Sequence, residues 1–357
     1  MAVRGVLWER CGESGATGKF GELGKPGKPG DVVRCLLCSH YCRIPDGRYG
    51  RCRVRGNRAG VLYSLSSDRI TAANADPVEK KPLYHFLPGT TTFSLGSLGC
   101  NMTCAFCQNY AISQVSPSPL KNCRDSLPPE LPHDIVAAAV TAACASVSFT
   151  YNEPALSVEL IEAVAPVALE NGVETVMVSN GFFSREAMRR LAPLVRAANF
   201  DLKAFSDEFY ANLCGAKLTP VLRTLAQAVS SGWWVELTTL LIPGRNDSDA
   251  ELTALARFIK EDLGPDVPWH VSRFRPMYKM PDVPPTPVAS LERARAIGLA
   301  EGVRFVYTGN VAGHDGENTY CPDCGALFIR RAGYAVSPPE RSSCSRCGAV
   351  IPGVWVQ

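Results

Sequence analysis

Residues 97–110 read SLGCNMTCAFCQNY and carry three cysteines within eight positions. Cys100, Cys104 and Cys107 follow the spacing Cys-x3-Cys-x2-Cys, and the aromatic Phe106 stands just before the third. A cubane [4Fe–4S] cluster normally takes four thiolates. A loop that supplies three leaves one iron without a protein ligand, and an open metal position can bind a substrate or cofactor, as it does at catalytic zinc. The stretch therefore predicts a catalytic metal centre.

Two other kinds of metal site compete with this interpretation. Structural zinc sites usually consist of two Cys-x2-Cys pairs, and a ferredoxin-like cluster more often reads Cys-x2-Cys-x2-Cys. The spacing here is neither, and it closely resembles the signature of the radical S-adenosylmethionine (SAM) enzymes. That resemblance implies that the open iron chelates the amino and carboxylate groups of SAM. It also implies that one electron breaks a carbon–sulfur bond to give a 5′-deoxyadenosyl radical, with Phe106 near the cofactor.

Length and charge limit the remaining classes of protein. The chain has 357 residues, of which 46% are hydrophobic, enough for a barrel-sized core and a small appendage. A net charge of +3 argues against a dedicated nucleic-acid binder. No apolar stretch approaches the roughly 20 residues of a membrane span. The N-terminal MAVRGVLWERCGES lacks the apolar core of a signal peptide, so we expect a cytoplasmic protein.

From residue 90 onward, short apolar stretches alternate with stretches typical of helices. Strands are expected at TTFSLGSL, SVSFT, TVMVS, NFDLK, VELTTLLI, WHVSRF and RFVYT. Helices are expected between them, and the one that begins after Ser184 is expected to end near Ala198. This alternation indicates βαβ units and a parallel sheet. No Gly-x-Gly-x-x-Gly follows the first strand, which disfavours a Rossmann fold. We predict an α/β fold, and the radical SAM resemblance implies a partial TIM-type (β/α)6 barrel over residues 90–312 with its active site at the strands' carboxyl ends.

The remaining segments differ in composition from the barrel. Residues 1–31 are rich in Gly, Lys and Pro, which predicts a flexible tail. A four-cysteine module is expected at 32–60, a lead-in segment at 61–89 and a zinc-ribbon-like module at 313–357. Among the isolated cysteines, we expect Cys144 and Cys214 to pack internally, although Cys214 could line the active site.

The C-terminal cysteines form two Cys-x2-Cys knuckles. Cys321 and Cys324 make up CPDC, and Cys344 and Cys347 make up CSRC, with 19 residues between the two knuckles. This spacing matches a zinc ribbon and predicts structural zinc. The intervening ALFIRRAGYAVS predicts a hairpin that turns at Gly333.

The N-terminal cysteines follow a less familiar spacing. Cys35, Cys38, Cys42 and Cys52 are separated by two, three and nine residues, which is neither a plain ferredoxin nor a plain ribbon. Four thiolates could hold zinc or a second iron–sulfur cluster. We favour zinc slightly, and His40 is an alternative ligand.

Polar residues follow the second of the predicted strands, in YNEP at 151–154. Radical SAM enzymes carry a Gly-Gly-Glu-Pro-like motif here, and the resemblance implies that Glu153 binds the SAM amino group. Asn152 stands where that motif has a glycine. A carboxylate suits an ammonium donor. The alternative is that Glu153 caps the following helix, where the dipole favours a negative charge.

Three later strands also end in polar residues. Ser179 and Asn180 belong to SNG, which resembles the Ser/Thr-Asn-Gly of pyruvate formate-lyase activating enzymes and could contact the SAM ribose or carboxylate; the alternative is an Asn-Gly turn. Asp201 and Lys203 belong to DLK, which matches the Asp-Leu/Ile-Lys of the same enzymes. Because side chains two residues apart on a strand lie on the same face, both should point to one side. Lys203 could neutralise the methionyl carboxylate, or the two could form a structural pair. His270 could reach the cofactor, or lie in the core.

A closer resemblance covers roughly residues 33–357. CLLCSHYC, EKKPLYHFLPGT, GCNMTCAFCQNYAISQ, DLKAFSDEFY, TTLLIPGRND, GNVAGHDGENTYCP and IPGVW look like the AmmeMemoRadiSam-system radical SAM proteins, relatives of the pyruvate formate-lyase activating enzymes. The resemblance implies possible Memo-like and AMMECR-type partner proteins and an electron donor such as flavodoxin or ferredoxin. No membrane partner is expected.

Three hypotheses for function follow from these observations. The first is a radical SAM enzyme that abstracts hydrogen from a small molecule or peptide. The second is an activase that acts on a glycyl-radical partner protein. The third is a non-catalytic, metal-stabilised adaptor, against which the intact three-cysteine loop and DLK argue.

Overall fold

A computed structural model describes residues 2–11, 28–120, 122–339 and 341–355 and shows a mixed α/β fold. The strands are β1 (Ala2–Arg4), β2 (Trp8–Arg10), β3 (Val33–Cys35), β4 (Arg43–Ile44), β5 (Arg55–Arg58), β6 (Val61–Ser64), β7 (Ala72–Pro77), β8 (Thr91–Gly96), β9 (Cys123–Arg124), β10 (Ser146–Phe149), β11 (Glu174–Ser179), β12 (Ala197–Asp201), β13 (Trp234–Leu241), β14 (Trp269–Arg273), β15 (Val306–Gly309), β16 (Thr319–Tyr320), β17 (Leu327–Ala332) and β18 (Ala335–Ser337).

The helices are α1 (Tyr110–Ser113), α2 (Glu130–Thr141), α3 (Val158–Glu170), α4 (Arg185–Leu191), α5 (Asp207–Phe209), α6 (Leu218–Ser230), α7 (Asp249–Phe258) and α8 (Val288–Glu301). Short 3-10 turns cover Val78–Lys80, Pro154–Ser157 and Asp315–Glu317, and π-helical turns follow α5 and α7 at Tyr210–Cys214 and Ile259–Leu263. No helix in the described ranges is both long and apolar enough to cross a membrane.

The chain divides into two compact units. The first comprises Met1–Ala75, Phe93–Thr103 and Asn109–Val195, and the second Asp76–Thr92, Cys104–Gln108 and Arg196–Gln357. In the first unit, β5, β6, β1 and β9 form one sheet, and β2, β3 and β4 form an antiparallel sheet. Strands β10 and β11 pair in parallel and are joined through α3, which makes a βαβ unit.

The second unit contains four neighbouring parallel strands, β12 to β15. Helices α6, α7 and α8 connect them in turn, so this part repeats the βαβ plan three times. Strand β14, WHVSR, is buried along its first four residues, as expected for a parallel strand covered on both faces. These parallel βα repeats agree with the predicted α/β class and are consistent with a partial TIM-type barrel.

Helix α4 is shorter than the sequence analysis predicts. The hydroxyl of Ser184 accepts a hydrogen bond from the Ala187 N–H at 2.9 Å, as an N-cap should. The helix ends at Leu191, two residues before Pro193, and β12 has begun by Ala197. The predicted end near Ala198 is therefore wrong, because Pro193 has no backbone N–H to continue the helical hydrogen bonds.

The predicted flexible tail over residues 1–31 also differs from the structure. Residues 12–27 lie outside the described ranges. Strand β1 pairs with β6, and β2 pairs with β3, so both strands belong to the first unit's sheets. Trp8 is buried and its indole N–H donates to the carbonyl of Gly5 at 2.9 Å. The prediction is wrong for these two strands, because it rested on the high Gly and Pro content of the whole segment and overlooked the apolar residues at its start.

A buried carboxylate organises the core of the second unit. Glu236 on β13 is fully buried and accepts hydrogen bonds from the backbone N–H groups of Tyr84 and His85 at 3.0 and 2.8 Å. It also accepts from the indole of Trp234 at 3.0 Å and contacts His270 Nε2 at 2.7 Å. Buried carboxylates need such partners, because an unsatisfied charge in the core is costly. The network ties the lead-in segment to β13 and β14.

His85 lies beside this network and is fully buried. Its Nδ1 contacts the carbonyl oxygen of Pro352 at 2.7 Å and its Nε2 the hydroxyl of Tyr307 at 2.6 Å. Burial lowers the pKa of His85 from 6.5 to about 4, although Glu236 opposes the shift. The folded protein therefore favours the neutral ring. The stability that it gains by keeping His85 neutral is present above pH 6.5 and is lost as the pH falls towards 4.

Between pH 7 and pH 5, we expect the wild-type protein to lose about 2 kcal/mol more stability than a His85→Asn variant. The reason is that His85 is protonated at pH 5 in the unfolded state but stays neutral in the folded state. Urea unfolding at the two pH values measures this difference. His133→Gln, at an exposed position on α2, is the matched control and should keep the wild-type pH dependence. Equal pH dependence in wild type and His85→Asn would contradict the assignment.

Candidate active site

Glu153 is the centre of a hydrogen-bonded cluster in the first unit. It follows β10 and is only 1% exposed. Its carboxylate accepts from the Ser179 hydroxyl at 2.9 and 3.0 Å, and from the Asn180 backbone N–H at 3.0 Å. It also accepts from the Ala155 N–H at 3.1 Å, so it does cap the following turn. The ends of β10 and β11 are thus joined through one carboxylate.

Asn180 extends this cluster to the first cysteine of the motif. Its amide nitrogen donates to Asn101 Oδ1 at 2.8 Å and lies 3.5 Å from the sulfur of Cys100. Its side-chain oxygen accepts from the Phe182 N–H at 3.0 Å, and Gly181 has a φ of 67°. The turn that the Asn-Gly pair suggested is therefore present. The same turn aims the amide of Asn180 at Cys100.

Asn152 supports the strand that delivers this cysteine. Its side-chain oxygen accepts from the Ser97 N–H at 3.0 Å, and its amide donates to the carbonyl of Gly99 at 2.9 Å. These bonds hold the backbone just before Cys100. In this structure Asn152 therefore positions the cysteine segment, and its predicted role towards a cofactor stays a prediction.

Asp201 and Lys203 follow β12 in the second unit. Lys203 Nζ donates to Asp201 Oδ2 at 2.8 Å, with the lysine side chain 12% and the aspartate 37% exposed. Burial alone would lower the pKa of Lys203, but Asp201 and the nearby thiols of Cys104 and Cys214 raise it well above its usual value. The cation is thus held in its charged state beside two thiols. The ion pair is compatible with both interpretations of DLK.

The segment Cys104–Gln108 also belongs to the second unit. A hydrogen bond with Cys214 lowers the pKa of Cys104, burial opposes this, and Lys203 lowers it further. Lys203 Nζ lies 5.9 Å from the centre of the Phe106 ring, within the range of a cation–π contact. Cys104 and Phe106 therefore both lie near Lys203.

His270 does not face a site of this kind. It is 2% exposed, contacts Glu236 through Nε2, and packs edge-on against Tyr84 with ring centres 4.6 Å apart. It also stacks on Tyr307 at 5.1 Å. The predicted contact with a cofactor is corrected to a role in the core, because β14 is covered on both faces at this residue.

The four C-terminal cysteines come together. Their sulfurs all lie within 4.8 Å of one another, with Cys321–Cys347 and Cys324–Cys344 both at 3.6 Å. The two knuckles repeat the same backbone bonds, since the N–H of Gly325 donates to Cys321 and that of Gly348 to Cys344, each at 2.9 Å. The predicted hairpin is present, with β17 and β18 joined at Gly333. This group could bind a metal ion.

In the described part of the chain, the four N-terminal cysteines do not form a group of this kind. Cys35, Cys38, Cys42 and Cys52 nevertheless line one small cavity, with His40 at its wall. Their arrangement therefore differs in kind from that of the C-terminal group.

Comparison with known proteins agrees with these observations. Residues 95–256, which include the three cysteines of the motif and the strand ends from β10 to β13, match the Radical SAM superfamily. The chain belongs to this superfamily. It is 42% identical over 325 residues to the uncharacterized protein MJ0808 of Methanocaldococcus jannaschii. The aligned region covers 89% of this chain and 95% of that protein. The two proteins therefore belong to one family of radical SAM proteins.

Solved structures also resemble this radical SAM protein. A radical SAM methyltransferase from Sphaerobacter thermophilus is 21% identical, with 68% of this chain and 71% of that chain covered and a TM-score of 0.47. A domain of pyruvate-formate lyase-activating enzyme from Bacteroides vulgatus is 16% identical, with 46% and 99% covered and a TM-score of 0.40.

The structure adds residues that sequence patterns did not single out. Asn101 links Asn180 to the cysteine segment, and its place between the motif cysteines was the available signal. Cys214 is fully buried, as the internal-packing prediction has it, and it also contacts Cys104. Tyr210 accepts the Lys203 backbone N–H at 3.1 Å, and no local pattern indicates this contact.

Replacing one C-terminal thiol should release the bound metal. A Cys324→Ser variant is expected to lose about one equivalent of metal per chain relative to wild type, because a closed structural site needs all four ligands. Elemental analysis of the purified proteins measures this loss. Cys144→Ser, which alters a buried thiol outside the three cysteine groups, should retain the wild-type content. Unchanged metal in Cys324→Ser would exclude this site.

Proposed function

We propose that this protein is a radical SAM enzyme that cleaves SAM reductively and uses the resulting radical to abstract hydrogen from a small-molecule or peptide substrate. The observation that carries the proposal is the intact Cys-x3-Cys-x2-Cys motif within residues 95–256, the part that matches the superfamily. A partial (β/α)6 barrel would present this motif and the polar strand ends at one edge.

The surroundings of Cys100 fit a thiolate that binds iron. The backbone N–H of Met102 donates to its sulfur at 3.4 Å, and the Asn180 amide nitrogen lies 3.5 Å away. Donors aimed at a sulfur stabilise its negative charge and tune an iron–sulfur cluster. Cys100, Cys104 and Cys107 would hold a [4Fe–4S] cluster, which would supply the electron that breaks the carbon–sulfur bond of SAM.

The polar groups of the chain have complementary tasks in this proposal. Glu153 places a carboxylate just after β10, and a carboxylate is a suitable acceptor for the ammonium group of SAM. Lys203 offers a cation for the methionyl carboxylate. Ser179 and Asn180 orient Glu153 and Cys100, so their effect on the cofactor is partly indirect.

Further assignments rest on the same proposal. Zinc suits the C-terminal group, because thiolates at about 2.3 Å from one tetrahedral ion lie about 3.8 Å apart, close to the 3.6 Å of the two sulfur pairs. The quoted motifs support the AmmeMemoRadiSam system, with Memo-like or AMMECR-type partners and flavodoxin or ferredoxin as electron donor. Cysteines that would bind metals instead of forming disulfides fit action in the reducing cytoplasm.

Cleavage of SAM tests the proposal directly. After anaerobic reconstitution with iron and sulfide, reduction and addition of SAM, the wild-type protein should form 5′-deoxyadenosine, measured by liquid chromatography. Cys104→Ala should form none above background, because the cluster would lose one of three ligands. Cys144→Ala, which removes a thiol outside the three groups, should keep the wild-type rate.

The absence of product from wild type under several reductants would refute a SAM-cleaving function. Product from Cys104→Ala at the wild-type rate would instead refute the ligand assignment while leaving the function intact.

Loss of the lysine charge should weaken SAM binding. Lys203→Met is expected to raise the Kd for SAM roughly tenfold or more, since a hydrogen bond to a charged group contributes about 1.5–3 kcal/mol. Equilibrium binding to the reconstituted protein measures the change. Lys260→Met, at an exposed position of the second unit, is the matched control. If both variants bind SAM like wild type, the Asp201–Lys203 pair is structural only.

A further inference from the structure

The N-terminal cysteines surround a cavity inside the first unit. Cys35 ends β3, Cys38 lies in the turn that follows, Cys42 precedes β4, and Cys52 precedes β5. The N–H of Cys35 donates to the carbonyl of Cys42 at 2.9 Å, which closes the turn. Three of the four are buried, and the cavity is completed by Leu37, His40, Ile44, Gly50, Arg55 and Leu156. The thiols therefore converge on one enclosed space.

The N-terminal cysteines are not arranged like the ligands of a single ion. Four thiolates on one zinc ion lie close together, because each is about 2.3 Å from the metal. Among the described residues, the C-terminal cysteines form such a group and the N-terminal cysteines do not. A cubane binds its four thiolates on four separate irons and therefore spaces their sulfurs more widely than one ion does. The wider arrangement therefore favours a cluster.

Arg55 supplies an independent sign of a missing partner. Its side chain is 1% exposed and lines the same cavity. Its Nη1 donates to Glu159 at 3.0 Å and its Nη2 to the carbonyl of Val6, but its buried Nε has no hydrogen-bond partner. A buried donor without an acceptor costs about 1–3 kcal/mol. A sulfide or thiolate in the cavity would be a suitable acceptor for this N–H.

Charge points in the same direction. Arg55 interacts electrostatically with Cys35 and Cys52. Thiolates in this buried position would be unstable without positive charge, and metal ions together with Arg55 would provide it.

We propose that Cys35, Cys38, Cys42 and Cys52 bind a second iron–sulfur cluster of the cubane type, with the Nε–H of Arg55 donating to one of its sulfur atoms. This replaces the slight preference for zinc that the sequence spacing suggested. Four thiolates complete the ligand set of a cubane, so His40 is not needed as a ligand; its Nε2 contacts the carbonyl of Asn101 at 2.8 Å.

The same unit holds this cluster against the segment of Cys100. A Cβ added at Gly99 would come within 2.6 Å of the Val54 side chain and 3.0 Å of the carbonyl of Cys52. His40 reaches Asn101 from the other cysteine turn. The N-terminal turns therefore pack directly on the residues that flank Cys100, and loss of the second cluster should loosen that loop.

A variant without the catalytic cysteines isolates the second site. Cys100→Ala, Cys104→Ala and Cys107→Ala combined in the full chain, reconstituted anaerobically with iron and sulfide, should still hold about four irons and four sulfides. Mössbauer and electron paramagnetic resonance spectra should show a cubane that does not respond to SAM. Wild type should hold about twice as much iron and sulfide. Two zinc ions per chain, one more than the C-terminal group would hold, together with no labile sulfide in the triple variant would overturn the proposal.

Paired N-terminal substitutions give the complementary result. Cys38→Ser with Cys52→Ser should lose about half of the wild-type iron and sulfide, whereas Cys144→Ser should lose none. Should the double variant fail to fold, the triple variant still decides, because its N-terminal site is intact. The readout is metal content and not catalysis, so four irons in the triple variant together with no SAM cleavage by wild type would refute the proposed function and leave the second cluster standing.

Discussion

The candidate site of the first unit depends on the satisfaction of one buried carboxylate. Glu153 is almost fully buried, and a charge in that position must be matched by donors. The donors include the Ser179 hydroxyl and two backbone N–H groups, which fix the end of β11 relative to the 3-10 turn before α3. Asn180 is placed by this arrangement and in turn faces Cys100. Capping and site building are therefore one interaction, and the two roles considered for Glu153 do not compete.

The arrangement of the cysteine sulfurs distinguishes kinds of metal site that the cysteine content of the sequence cannot distinguish. All are built from short Cys-x2-Cys or Cys-x3-Cys turns. Two sulfur pairs of the C-terminal group lie at 3.6 Å, which suits one ion, whereas the N-terminal sulfurs are spread around a cavity. Arg55, whose buried Nε has no hydrogen-bond partner, lines the cavity of the N-terminal group. A protein with two clusters and one ion would hold them at separate places in the fold, each with its own charge balance.

Local patterns predicted most of the elements and failed where distant contacts decide. The alternation of apolar strands with helices predicted β10 to β15, and Ser184 was correctly placed as an N-cap. The pattern missed β1 and β2, since short strands become visible only through their partners in the sheet. His270 looked available at a strand end, yet Glu236 and Tyr84 enclose it. The contact of Cys104 with Cys214 likewise joins residues far apart along the chain.

By itself the sequence determined the three-cysteine motif, the βα repeats and the C-terminal knuckles, because each is encoded by spacing within a few residues. Only the tertiary structure decided which polar side chains meet: Asn180 with Cys100, Lys203 with Asp201 and Cys104, and His270 with Glu236. It also decided the spread of the N-terminal sulfurs around Arg55. The physical reason is that burial and hydrogen bonding between distant segments set these distances, and no local periodicity carries that information.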